Sequence, residues 1–409
     1  MQRPDGTPRV VVTGMGVRSP AGNDPSEAYA TVTSGKGQAA HLPELLDAGL
    51  PVTFGCAVRD FESGLSKVER RRLDRAAQLA IAAADEAITA AGPGFSGDDP
   101  LRRGTYVGTA SANLASIIAL GGHEHAGTLN KVPVPTVPTI MANAAAAQIS
   151  IRHGHRGPCL TLAAACASGA TALGEAALAI RSGRIDAAIA GGVDALLTPF
   201  VVAAFARLGA LSRRREDPGA ASRPFDPDQD GFVMGEGAAF LTLERADRAA
   251  ARGARIYGEI SGYAAASDGA HIVTPREDGL VAAECMRRAL EDADLGADEI
   301  GHVNAHATAT PANDNAEVAA IERFFASSPP VTATKGVTGH LLGACGAFEA
   351  VIALMSAADG LVPPTANFTG GTDRIDVVHG GPREIPVAPV LSNSFGFGGH
   401  HASLVLTPP

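Results

Sequence analysis

The chain of 409 residues has no tryptophan, four tyrosines and an aromatic share of only 4%. An interior poor in large rings has to be filled by aliphatic side chains, and 45% hydrophobic residues with 48 glycines permit this through tight backbone approach. That favours α/β layers over an aromatic-rich sandwich. Five cysteines, Cys56, Cys159, Cys166, Cys285 and Cys345, are scattered without CxxC spacing, which argues against a disulfide framework or a zinc site and suits a reducing cytosol. Basic excess is missing too: a formal net charge of -10 speaks against a nucleic-acid partner, since phosphate neutralisation needs a basic surface. No apolar run approaches about 18 residues and the start lacks the apolar core of a signal peptide, so neither a membrane span nor export is expected.

What is present is organised around the stretch from Gly157 to Gly183. Leu160 to Ala165 is an apolar run short enough for a buried strand, and Ala167 to Ser182 has the composition and length of a helix ending at Gly183. Cys166 therefore falls on a strand-to-helix corner. There the unpaired N–H groups of the first helical turn and the positive end of the dipole favour a thiolate and face any oxyanion formed beside it. A lone cysteine among alanines more often only fills space, so the reading needs partners from elsewhere in the chain. His306 and His340 supply candidates, because each follows a strand-like run and opens a loop or helix, where ligands bind in open α/β sheets.

The length calls for one composite domain or two packed halves. The pattern predicts a first strand at Val10–Thr13 opening into a tight turn at Gly14-Met15-Gly16, a helix within Pro20–Gly37 begun by Asp24 or Ser26, and a longer helix from Lys67 to Ala91. Lys67, Arg70, Arg71, Arg72 and Arg75 crowd the start of that long helix, either as a solvated face with internal ion pairs or as a dock for an acidic partner. A strand at Thr105–Thr109, a proline-rich extended loop at Lys131–Thr139, a helix at Met141–His153 and a returning strand at Ala187–Gly192 follow. The polar stretch Arg213–Gly237 is too long for a plain connection. A strand at Ala238–Glu244 leads to a seam near residues 245 to 257. Beyond it come a helix at Asp278–Asp294, a short strand at His302–Ala305, a loop feeding a helix at Ala316–Phe325, and a glycine-hinged loop between strand-like runs in Val390–Leu406. No internal repeat is visible.

Taken together, Val11-Val-Thr-Gly-Met-Gly16 with Ser19-Pro-Ala-Gly-Asn23, Ala165-Cys-Ala-Ser-Gly169, Arg223-Pro-Phe-Asp226 with Asp230-Gly-Phe-Val-Met-Gly-Glu-Gly237, His306-Ala-Thr-Ala-Thr-Pro311, Lys335 with Thr338-Gly-His340, and Asn393-Ser-Phe-Gly-Phe-Gly-Gly399 span nearly the whole chain. In these motifs and their order the sequence resembles the β-ketoacyl-acyl-carrier-protein synthases of the I/II type, discrete decarboxylating condensing enzymes of the thiolase superfamily. The resemblance implies an α/β, thiolase-like five-layered αβαβα fold of two similar βαβαβαββ halves, residues 1–250 with the nucleophile on a buried central helix and residues 251–409 with both histidines. Cys166 would take an acyl group as a thioester, with the backbone N–H groups of Cys166 and Phe397 as oxyanion hole. His306 and His340 would hold the malonyl thioester carbonyl and stabilise the enolate left by CO2. Lys335 and Glu349 would form a charged pair that orients and tunes His340. Thr308 and Thr310 would bind the phosphopantetheine arm, Ser111 and Phe395 would contact substrate, and Phe397 would gate the acyl pocket. No resident cofactor or metal is implied, since 4'-phosphopantetheine arrives on the carrier protein. Arg71, Arg72, Lys131 and Arg214 would form the rim that docks an acidic acyl carrier protein, and a cytoplasmic dimer, homomeric or with a ketosynthase partner, would be expected.

Departures from the family pattern sharpen the reading. Ala307 stands where glycine is usual, and its methyl is tolerable only if the backbone needs no positive φ. His400-His401 replaces the commoner Thr-Asn, and Gln229 an arginine. Pro135-Thr136 replaces aromatics of the dimer loop and Ser111 a bulkier aliphatic; both changes enlarge or polarise the acyl channel, which points to a longer, branched or unsaturated acyl substrate in fatty-acid or polyketide synthesis. A thiolase would need a second cysteine between Asn393 and His401, where there is none. The alternative, a chain-length-factor-like partner subunit, usually lacks the nucleophile that Cys166 matches.

Overall fold

Aliphatic strands alternating with alanine-rich helices fold, in the computed structural model, into two copies of one pattern; the structure describes residues 2–95 and 99–409. The first copy runs β1 (Val10–Arg18), α1 (Pro25–Ser34), α2 (Lys67–Arg70), α3 (Arg75–Ala91), β2 (Arg103–Gly108), α4 (Leu114–His125), α5 (Thr136–Ile140), α6 (Ala144–His153), β3 (Cys159–Leu162), α7 (Ser168–Arg181), β4 (Ala187–Asp194), α8 (Pro199–Leu208) and β5 (Gly237–Arg245). The second runs β6 (Gly258–Ser267), α9 (Leu280–Ala293), β7 (His302–Asn304), α10 (Pro311–Phe324), β8 (Pro330–Thr332), α11 (Cys345–Asp359), β9 (Asp376–Val377), β10 (Val390–Gly396) and β11 (His400–Thr407). Strand order is β1-β5-β4-β2-β3 in the first copy and β6-β11-β10-β7-β8-β9 in the second, so the two match strand for strand apart from the edge strand β9. The repeat is one of topology, which is why no sequence period betrays it.

Antiparallel pairing of β1 with β6, Val11 opposite Glu259 and Val12 opposite Gly258, joins the halves edge to edge. Helix α3 covers β1, β5 and β4 from one side and α9 covers β6 and β11 from the other, while α7 and α11 pack on each other and on strands of both halves. The result is the αβαβα layering. Both central helices are almost wholly buried, and their alanines let backbones approach closely, each buried methyl contributing about 0.8 kcal/mol. Leu342–Asp359 is apolar and long enough to cross a membrane by length and composition alone, yet 83% of that stretch is buried inside the fold.

Four expectations are corrected. Gly14-Met15-Gly16 makes no turn but continues β1, with a bulge after Val12. A Cβ at Gly14 would lie 2.1 Å from Ala87 O and one at Gly16 2.0 Å from Ala83 O, so the glycines serve the close packing of α3 on the strand. The helix expected from Lys67 to Ala91 is two: Ser66 caps α2 in a capping box with Glu69, and Asp74 accepts from Ala76 N–H to start α3 afresh. Helix α5 interrupts the extended loop at Lys131–Thr139, despite Pro138. Helix α10 begins at Pro311, well before Ala316, because proline suits the first helical turn.

Candidate active site

Cys166 lies two residues before α7. Ala165 turns the corner at φ 48°, and Ser168 Oγ clamps the turn by accepting from Ala164 N–H at 2.8 Å and donating to Ala165 O at 2.6 Å. Burial pushes the Cys166 thiol up to about 12, against the opposing pull of the Lys335 ammonium and of the backbone N–H groups of Cys166 and Phe397. The pull of the helix start toward a thiolate is thus opposed by desolvation. The same two N–H groups approach the sulfur together, as an oxyanion hole requires.

His306 and His340 meet the cysteine in one cavity of about 810 Å³, whose walls also include Ser111, Thr308, Thr310, Phe395 and Phe397. The two imidazole centroids are 5.5 Å apart with planes at 80°. His340 Nδ1 accepts from Leu342 N–H at 3.3 Å and lies 3.0 Å from Cys345 Sγ, which accepts from Leu341 N–H at 3.1 Å. A backbone donor at Nδ1 assigns the proton to Nε2. Burial first and the Lys335 charge second hold both histidines well below the ordinary imidazole value, so both are neutral donors. Lys335 and Glu349 form a buried ion pair behind the cavity, with Thr334 Oγ1 donating to Glu349 at 3.2 Å. Neither is a partner of His340 Nδ1; they reach the site through charge, and orientation falls to Leu342 and Cys345.

Several supporting contacts were not legible in the sequence, because they depend on how the loops around the cavity fold. Glu317 on α10 accepts from His306 N–H at 2.9 Å and Ala307 N–H at 2.7 Å, and burial pushes its carboxyl up to about 7. Ala307 sits at φ 25°, so the backbone does take the positive φ that the methyl resists. The Thr308 and Thr310 hydroxyls are 2.9 Å apart. His401 Nε2 donates to Asp268 at 2.9 Å and anchors a file of touching rings, His401, Phe395, His306, His340, Phe232 and Phe205, that crosses the cavity. Phe397 is 37% exposed, with Gly398 and Gly399 at φ 86° and 73° beside it.

The residues assigned to docking lie outside the cavity. Arg71 and Arg72 are exposed between α2 and α3, and Lys131 is exposed. Arg214 is half-buried, donating to Asp228 O at 2.7 Å and lying 3.8 Å from Asp230. Arg75 stays half-exposed but its charge is engaged, since it pairs with buried Glu236 at 2.5 Å and donates to Val58 O at 2.8 Å. Pro135 and Thr136 do not line the cavity, whereas Ser111 does.

This constellation, a cysteine at a helix start facing two neutral imidazoles beneath a glycine-hinged phenylalanine, agrees with comparisons to known proteins. The beta-ketoacyl synthase N-terminal domain matches residues 7–249 and the C-terminal domain residues 257–369. The chain belongs to the β-ketoacyl synthase family and is an acyltransferase of the condensing kind. It is 37% identical over 410 residues to 3-oxoacyl-[acyl-carrier-protein] synthase 2 of Vibrio harveyi, covering 97% of this chain and 98% of the relative. Among solved structures it is similar to the ishigamide ketosynthase/chain length factor, with TM-score 0.92, 34% identity and coverage of 98% and 100%. A ketosynthase solved with the acyl-carrier protein of a type II PKS and bound to the hexaketide gives TM-score 0.91 at 30% identity, with coverage of 98% and 100%.

Proposed function

We propose that the chain is a discrete 3-oxoacyl-[acyl-carrier-protein] synthase that joins an acyl group on Cys166 to the two-carbon unit of a malonyl thioester. The observation that carries this is the shared cavity: one sulfur with two backbone N–H donors, and two imidazoles whose neutral state burial secures. In the first half-reaction the Cys166 sulfur attacks the incoming thioester carbonyl, the N–H groups of Cys166 and Phe397 take the oxyanion, and the carrier sulfur leaves with the proton that Cys166 gives up. The malonyl thioester then places its carbonyl oxygen at the N–H donors of His306 and His340. Loss of CO2 puts the electron pair on the enolate, whose oxygen these donors stabilise in a dry site. The enolate carbon attacks the Cys166 thioester, and collapse expels the sulfur and releases a β-ketoacyl thioester two carbons longer. Thr308 and Thr310 line the approach where a pantetheine arm offers amides to their hydroxyls.

The partner would be an acidic acyl carrier protein, received by Arg71, Arg72 and Lys131 with Arg214 at the rim. The relative solved with its carrier protein supports this. Small Ser111 beside Phe205 and Leu208 leaves room for an acyl chain bulkier than a plain saturated one. The dimer would pair two β3 edges, and the ketosynthase/chain length factor relative keeps a heterodimer as the competing assembly.

Loading tests the reading directly. Acyl carrier proteins bearing different chains are incubated with the protein, and intact mass shows which chains transfer to Cys166. Cys166→Ala should abolish condensation while malonyl decarboxylation survives, and His340→Ala should lose decarboxylation by about a hundredfold or more. Unimpaired elongation by either variant contradicts the assignment.

A further inference from the structure

The mechanism leaves the buried carboxyl group of Asp194 unused. Asp194, the last residue of β4, is fully buried, and its carboxylate accepts four hydrogen bonds. Oδ1 takes Thr109 Oγ1 at 2.8 Å and Ser111 N–H at 3.3 Å, while Oδ2 takes Ala110 N–H at 2.8 Å and Gly343 N–H at 2.7 Å. Among the described residues no cation pairs with it. Two of its donors, the Ala110 and Ser111 N–H groups, belong to the cavity wall, and Thr109 directly precedes them. The fourth comes from the second half, in the loop that carries His340.

That fourth contact is tight. A Cβ on Gly343 would lie 2.5 Å from both Asp194 Oδ2 and Ala110 N. Gly343 directly follows Leu342, a non-glycine residue held at φ 53°, a conformation that persists only where the surroundings impose it. Leu342 N–H is the donor that occupies His340 Nδ1 at 3.3 Å.

We infer that Asp194 is a positioning residue for His340: by holding Gly343 N–H it keeps Leu342 in its left-handed turn, and the Leu342 N–H then fixes the imidazole with its Nε2 proton toward the cavity. The same carboxylate ties the acyl-pocket wall to that loop. The role in decarboxylation rests on the condensing-enzyme reading given above; the control of the His340 tautomer does not.

Asp194→Asn is nearly isosteric but replaces one acceptor oxygen with a donor, so donors on that side lose their partner. Two readouts follow on the full-length protein. In 15N-histidine-labelled protein, with His340→Gln identifying the signals, wild type should show His340 protonated at Nε2 alone, and Asp194→Asn should show both tautomers. In the reaction, kcat for malonyl-thioester decarboxylation should fall about tenfold or more with KM within about twofold. Gly343→Ala, which pushes the same amide off the carboxylate, should reproduce the pattern if Asp194→Asn does not fold. Unchanged His340 signals, or a loss of decarboxylation that comes through KM with kcat kept, would overturn the inference. A wild type that neither acylates Cys166 nor decarboxylates malonyl thioester refutes the condensing-enzyme reading instead, since the 15N signals still report on Asp194 and His340.

Discussion

At Cys166 two opposed effects act on one sulfur. The start of α7 and the Lys335 charge favour the thiolate, while enclosure favours the thiol and wins, with the thiol pushed up to about 12. Deprotonation therefore has to accompany acyl transfer. Iodoacetamide alkylation of Cys166, followed by peptide mapping, should rise about tenfold per pH unit from about pH 6 to 9 without a plateau. An inflection below about pH 8 would show that the helix terminus dominates. Ala307 offers a second test at this scale. Its methyl at φ 25° is strained, so Ala307→Gly should raise unfolding free energy by about 1 kcal/mol in urea denaturation. A loss of stability there would mean that the Glu317 bonds have already relaxed the strain.

Among the elements, the break between α2 and α3 separates two kinds of arginine that look alike in the sequence. Arg71 and Arg72 stay exposed on the connection, without a carboxylate partner among the described residues, whereas Arg75 at the start of α3, 44% exposed, is tied to Glu236, whose side chain is 4% exposed. Exposed pairs contribute about 1 kcal/mol or less each and chiefly steer encounter. Arg71→Glu and Arg72→Glu should each raise KM for carrier-bound substrate about fivefold at low salt, an effect that fades as salt rises, with kcat on a small pantetheine thioester unchanged. Arg75→Ala should instead cost about 2 to 3 kcal/mol of stability by stranding a buried carboxylate, as denaturant unfolding would show. Equal effects of all three on KM would mean that Arg75 also faces the partner.

For the whole molecule, the sheet ends at β3, an unpaired edge with Cys159 exposed and Leu160 46% exposed. Exposed apolar side chains on a free strand edge invite pairing with a second chain. Sedimentation equilibrium should give twice the chain mass, and Leu160→Asp should shift the protein toward the monomer. A wild type that stays monomeric at micromolar concentration would set aside the β3 pairing.

Most strands but not β6, β8 or β9, several alanine-rich helices, the corner at Cys166 and the glycine loop near Phe397 were legible in the sequence, because local periodicity and turn chemistry report on neighbours a few residues away. The motifs carried the family resemblance, and with it Cys166, His306 and His340. Three-dimensional packing alone decided the rest. It set the protonation of the cysteine and histidines through burial, tied the half-exposed Arg75 to the buried carboxylate of Glu236, and made Gly14 and Gly16 a packing surface in place of a turn. It also supplied Asp194 and Asp268, which bond to segments distant in the chain, and the local contacts of Glu317 and Cys345, which only the folded loops bring into place. Desolvation and long-range hydrogen bonding depend on what the two halves enclose between them, and no local pattern of residues encodes that enclosure.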